Sequence, residues 1–273
     1  MKNTQQITKA MKQVAAAKIR RAEMLQKQSR PYADALSAML RDLMANVSSV
    51  DHPFMKPGRA GAPIGVIVMT ADKGLAGAFN ANLIRQAEVH GREHPEVLWY
   101  SVGVKGRNAL RRQPQPTEEF WPLTQGLMIE VAREISQRVT KDFIGGKIGG
   151  ITLIAPKLIN MMSQRPETRP IVPIVAIKAE ANTGGPKGAV EFEPSAEAVL
   201  SRLLPKYLEF TIYSAMLETN ASFFAAQLVA MNNASDNAKK LIDELTVQMN
   251  NARQASITKE ILEIVGGAEA LAG

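Results

Sequence analysis

The chain has 273 residues, with 33 Lys and Arg against 26 Asp and Glu, and no Cys. Its net charge of +7 is confined to residues 1–30, which hold Lys2, Lys9, Lys12, Lys18, Arg20, Arg21, Lys27 and Arg30 against the single acid Glu23; the rest is neutral. Without Cys there are no disulfides, thiolate metal sites or Cys nucleophiles, and no apolar run approaches the ~20 residues that span a bilayer.

Residues 3–50 predict one continuous helix, since they hold no Gly, only Pro31, and many Ala, Lys, Arg, Gln and Met. Apolar residues recur at three- and four-residue steps: Ile7, Met11 and Val14, then Leu36, Leu40, Leu43 and Val47. Between them Lys18 and Arg21 fall on the same phase. A helix of about 48 residues is about 70 Å long, and a thin apolar seam along it predicts a coiled coil. Residues 51–63 hold three Pro and two Gly and read as a linker or sharp turn.

Residues 64–69 (IGVIVM) and 97–102 (VLWYSV) are short apolar runs expected to be buried strands. Helices are expected over about 80–89, 105–112 and 127–139, with further strands at 120–123 and 151–155. Residues 161–165 and 171–177 predict a hairpin or edge strands around Pro166 and Pro170, because Pro is tolerated at a sheet edge. This alternation of strand and helix predicts a mostly parallel α/β domain, Rossmann-like, over 64–180.

Residues 178–194 (KAEANTGGPKGAVEFEP) form a second linker, and 195–273 are helical again. Pro205 is expected to divide a short helix from a long one. The long one carries a seam of Leu228, Met231, Ser235, Ala238, Ile242, Leu245, Met249 and Ala252 in steps of three and four. It then slips by five to Ile257 and resumes at Ile261, Ile264, Ala268 and Leu271. The expected architecture is an antiparallel coiled coil of the two ends, 1–50 and 195–273, with the α/β domain hung between them.

Few motifs carry chemistry. Residues 70–80 (TADKGLAGAFN) follow a strand and precede a helix, where phosphate loops sit, but lack the full phosphate-loop pattern. They are read as a turn, as are Gly103–Gly106 and the Gly145, Gly146, Lys147 run. His90 and His94 have the i, i+4 spacing of a metal pair, but Gly91 and Pro95 are expected to disrupt that helix. No Ser/His/Asp set or carboxylate pair stands in a convincing context, so no enzyme activity, metal or cofactor is expected. The basic segment lacks aromatics for base stacking, so a protein with acidic loops is preferred to nucleic acid as its partner. A basic coiled-coil nucleic-acid-binding protein stays as the alternative. Arg253, Gln254, Thr258 and Glu260 form the densest polar group near the C-terminus; periodicity leaves open whether they are a solvated face or a contact.

Four segments resemble the gamma subunit of F-type ATP synthases: KNTQQITKAMKQVAAAKIRRAE at the start, TADKGLAGAFN, SDNAKKLIDELT, and ARQASITKEILEIVGGAEAL near the end. The resemblance spans nearly the whole chain. It implies a non-catalytic rotor shaft inside a ring of alpha and beta subunits, with the α/β domain below contacting the epsilon subunit and the membrane c-ring. It implies Lys9 and Met11 in an N-terminal rotor contact, and Arg253, Gln254, Thr258 and Glu260 against beta-subunit loops. The family's Arg is replaced by Gln227, so that contact is not carried over. The family begins more than a dozen residues earlier, which implies a start upstream of Met1. No cysteine-bearing regulatory insert is present, and no transit peptide is visible. The implied location is therefore the cytoplasmic side of a bacterial plasma membrane, held peripherally without insertion.

Overall fold

A computed structural model describes residues 1–46, 52–123, 128–174 and 195–272. The two ends of the chain form its longest elements, α1 (Lys2–Asn46) and α5 (Ala196–Ala272). They pair antiparallel: Lys12 reaches Asn232, Lys18 lies over Phe224, and Tyr32 packs on Phe210.

The buried seam of α1 is Thr8, Ala15, Ile19, Ala22, Leu36, Leu40 and Leu43. Its second half is as expected, but its first half is shifted by one residue. Ile7 and Val14 are each 54% exposed, while Ala15, Ile19 and Ala22 face the partner. Small Ala side chains let the backbones approach closely, and a one-residue shift turns the face by about 100°. This removes the apparent polar break, because Lys18 and Arg21 flank the seam instead of lying in it. Pro31 is accommodated within α1. The expected helix residues 47–50 lie outside the described residues.

Pro205 does not divide α5, which is continuous over 77 residues, about 115 Å. A Pro removes one backbone donor, and here the packing of Leu200, Leu204 and Leu208 on either side of it holds the path. α5 also runs through Gly266 and Gly267. Its seam is legible as far as Ile242, then stops being one: Leu245, Met249, Ile257, Ile261 and Ile264 are exposed.

Between the helices a five-stranded sheet has the order β3-β2-β1-β4-β5. β1 (Ile64–Met69) and β2 (Val97–Val102) are as expected. β3 (Thr117–Trp121) begins earlier than expected. β4 (Gly150–Asn160) and β5 (Ser163–Val172) form a longer hairpin than the one expected. β1 pairs in parallel with β2 and β4, β2 with β3, and only β5 is antiparallel. Both Pro166 and Pro170 lie in β5, an edge strand. The expected strand residues 175–177 and the linker 178–194 lie outside the described residues.

β1 and β2 are buried on both faces, as central parallel strands require. Val66, Val68 and Trp99 pack on one face with Ala87 of α2 (Phe79–Glu93) and Leu110 of α3 (Val104–Leu110). Ile67, Met69, Tyr100 and Val102 pack on the other with Ala132, Ile135 and Val139 of α4 (Met128–Ile144). That second cluster continues into Leu40 and Leu43 of α1, Leu204 and Leu208 of α5, and Phe54 of a short turn at Pro53–Met55. The foot of the helical pair and the sheet therefore share one core. α2 runs past Gly91, whose missing Cβ leaves room for Trp99; a Cβ there would come within 2.9 Å of the indole.

Candidate functional site

In parallel α/β folds ligands bind outside the carboxyl ends of the strands, where the strand order reverses. Here that point lies between β1 and β4, and the chain fills it with its own side chains. The loop after β1 brings Ala71 and Ala76, and the start of α2 brings Phe79 and Leu83, against Ile19 of α1 and Phe223, Phe224 and Ala225 of α5. Phe79 meets Phe223 edge-on at 5.9 Å. Glu218 of α5 accepts a hydrogen bond from the Leu158 amide of β4 at 3.0 Å.

Three polar side chains of the same loop, Thr70, Asp72 and Asn80, bond back to the fold. Asp72 Oδ1 accepts from the amides of Val104 at 3.0 Å and Leu123 at 3.2 Å. Asn80 Oδ1 accepts from the Ala71 amide and its Nδ2 donates to the Lys73 carbonyl. Thr70 donates to the Val102 carbonyl and accepts from the Gly106 amide. Gly103 has φ of 90°, and a Cβ there would sit 2.1 Å from the Thr70 carbonyl oxygen. The segment with the look of a phosphate loop is thus a dock that fixes the sheet to the helical pair. Ala71, Ala76 and Phe79 make the contact, while Leu75, at φ 61°, and Ala78 are exposed.

His90 lies within α2 and His94 caps it, with ring centroids 4.6 Å apart. Burial, then the neighbouring His94, hold His90 below the usual imidazole value, against a smaller opposing effect of Glu93. Among the described residues no group of three or more His, Asp or Glu is placed to hold a metal.

An ionic cluster with Tyr100 and Asp142 at its buried end lies under the sheet, and the sequence gives no sign of it. The Tyr100 hydroxyl donates to Asp142 Oδ2 at 2.6 Å, and Arg138 Nε reaches the same oxygen at 3.0 Å. Arg138 also meets Glu118 and Glu119, and Lys147 meets Glu118. Burial works to raise the Asp142 pKa; the hydrogen bonds from Tyr100 and Arg138, and the charges of Arg138 and Lys147, outweigh it and hold the carboxyl below its usual range. Burial, then the bond to Asp142, push the Tyr100 phenol far above its usual value. This cluster ties β2, β3 and α4 together.

The residues singled out in the helices fall in two separate patches. Lys9 is exposed and Met11 half-buried on α1. By the pairing of Lys12 with Asn232, they lie about 20 residues, or about 30 Å, along the axis from Arg253. The start of α1 comes level with about residue 242 of α5. From there to Ala272 α5 projects for about 45 Å with no paired element among the described residues. Every side chain from Asn251 to Ala268 is exposed. Thr258 donates back to the Gln254 carbonyl at 2.9 Å, Ser256 reaches Glu260 at 3.5 Å, and Lys259 pairs with Glu263 at 3.6 Å. The Arg253 guanidinium and the Gln254 amide have no partner among the described residues. Ile257, Ile261, Leu262, Ile264 and Val265 add exposed apolar surface to the same stretch. No helix among the described residues is long and apolar enough to cross a membrane.

A sequence model of the family described as ATP synthase matches residues 1–271. An ATP synthase gamma chain from Heliobacterium modesticaldum is 42% identical over 99% of this chain and 95% of its own length. One from Symbiobacterium thermophilum is 40% identical over 100% and 95%. Among solved structures, a chain of the central stalk and c-ring of the Tetrahymena thermophila mitochondrial ATP synthase superimposes with a TM-score of 0.63 at 24% identity. It covers 84% of this chain and 99% of that one, a likeness of fold.

Proposed function

The chain belongs to the gamma-chain family of ATP synthases, and we propose that it is the rotor subunit of that machine and works there without chemistry of its own. The observation that carries this is the projecting end of α5, whose side chains over 251–268 are exposed, with no cover from another element among the described residues. The crevice where an α/β fold would hold a nucleotide is packed with Phe79, Phe223 and Phe224. That packing supports a reading in which catalysis belongs to neighbouring subunits.

In this reading the paired helices sit inside the ring of alpha and beta subunits, and the sheet end faces the epsilon subunit and the c-ring. The whole is peripheral to the cytoplasmic face of the membrane. Lys9 and Met11 meet the ring at one level, and Arg253, Gln254, Thr258 and Glu260 meet beta-subunit loops at another. A single asymmetric shaft offers each beta subunit a different set of contacts at any moment. A difference in contact energy between two conformations is what shifts the equilibrium between them. Rotation then carries each catalytic site in turn through states of different nucleotide affinity.

Reconstitution tests the reading. The chain alone is expected to hydrolyse no ATP, and adding it to alpha and beta subunits is expected to give a stoichiometric, active complex. Stoichiometric nucleotide binding by the isolated chain, or tight salt-sensitive DNA binding in place of assembly, contradicts it.

A further inference from the structure

His90 and His94 have no part in the contacts of the rotor or in the dock. The structure keeps them on one helical ladder: α2 runs through Gly91, and the His94 amide donates to the His90 carbonyl at 2.9 Å. This end of the helix is held from outside. Gln115 donates to the Gly91 carbonyl at 2.8 Å, Gln113 donates to Glu88 at 3.2 Å, and Gly91 lies close against Trp99. The two imidazoles stand with their centroids 4.6 Å apart. Neither makes a hydrogen bond among the described residues. His90 keeps Nε2 buried without a partner. A neutral ring with its proton on that nitrogen carries its free lone pair on Nδ1. His94 is exposed and can offer either nitrogen.

Two uncommitted imidazoles four residues apart on a helix are a chelating pair. A metal about 2.0–2.1 Å from one nitrogen of each ring holds neighbouring imidazole centroids about 4.5–5 Å apart, and the rings here already have that spacing. Burial, then His94, hold His90 below the usual imidazole value, so its lone pair is free near neutral pH; the opposing charge of Glu93 is felt at the same ring. A carboxylate so placed favours a cation. We propose that His90 and His94 bind a divalent first-row metal ion of the zinc and copper class, with water completing its coordination. No third protein ligand joins them among the described residues, so the site is open and the ion exchanges with chelators. The pair lies about 16 to 22 Å along α2 from Phe79. Bound metal therefore fastens the last turn of α2 without touching the dock.

The test is calorimetric titration of the full, untagged chain with zinc chloride and with copper sulfate, in a buffer without chelating groups. The expected result is a single saturable site per chain, tighter for copper than for zinc and lost in excess EDTA. Magnesium chloride is expected to give no such site, because that ion prefers oxygen ligands. His94→Gln removes an exposed ligand at little cost to the fold and is expected to weaken binding about tenfold or more; His90→Gln is expected to do the same. His52 is the remaining imidazole of the chain and accepts from the Phe54 amide. His52→Gln is expected to leave both affinities within about twofold. Absence of a saturable site, unchanged affinity in His94→Gln, or an equal loss in His52→Gln overturns the proposal.

Discussion

Two stretches of α5, only some 30 residues apart, do opposite work. Residues 215–225 are buried nearly all round, enclosed by α1 on one side and the loop after β1 and strand β4 on others. Residues 251–268 are exposed throughout and bond only within their own helix among the described residues. Both contain apolar residues at helical spacing, yet only the first belongs to a core. The difference teaches that a seam is a property of two surfaces. Periodicity in one helix says which side can be buried, while the partner's reach decides how far burial goes.

The comparison can be broken most forcefully within the buried stretch. Phe224→Ala empties a site 4% exposed and should cost about 3–5 kcal/mol in denaturant unfolding of the full chain. An effect below 1 kcal/mol would mean that the dock is not packed as described. Next in size is Tyr100→Phe, which removes the 2.6 Å bond to Asp142 and should cost about 1–3 kcal/mol.

The same cluster has a pH signature. The folded Asp142 pKa is depressed, so its contribution is present above the unfolded Asp value of about 3.9 and is lost as pH falls through the folded value. Unfolding free energy measured from pH 7 downward should therefore drop on the acid side of about pH 4. Asp142→Asn should flatten that part of the profile; an unchanged profile would remove Asp142 from the account. The smallest effect belongs to the projecting stretch. Leu245→Ala, on an apolar residue 44% exposed, should change the stability of the isolated chain by no more than about 0.5 kcal/mol.

Much of this contrast was legible in the residues. The two central strands were plain because β1 and β2 are uninterrupted apolar runs bounded by turns. The long helices were plain because Gly is absent over long spans. The start of the α1 seam was misplaced because Ala15 and Ala22 give no hydrophobic signal, though close approach needs them, while Ile7 and Val14 give a strong signal on the outer face. Pro205 is locally a helix breaker, whereas leucines on either side of it carry the helix across. β3 and the hairpin were misjudged at their ends because Glu118, Glu119 and Pro166 look unlike strand residues until Arg138 and the sheet edge account for them. Of the candidate contacts, Arg253 and Gln254 stood out by polarity, and the structure leaves their side chains exposed. The dock at Phe79, Phe223 and Phe224 is not legible in the sequence, since aromatic residues on separate elements give no sign of meeting.

The central claim is that the projecting end of α5 works on a partner, not on its own fold. It is tested most directly by Arg253→Ala combined with Gln254→Ala in a reconstituted complex, measuring ATP turnover alongside the unfolding of the chain alone. The account predicts a lowered turnover with assembly intact and chain stability within about 0.5 kcal/mol of the parent. Unchanged turnover in a fully assembled complex would contradict it.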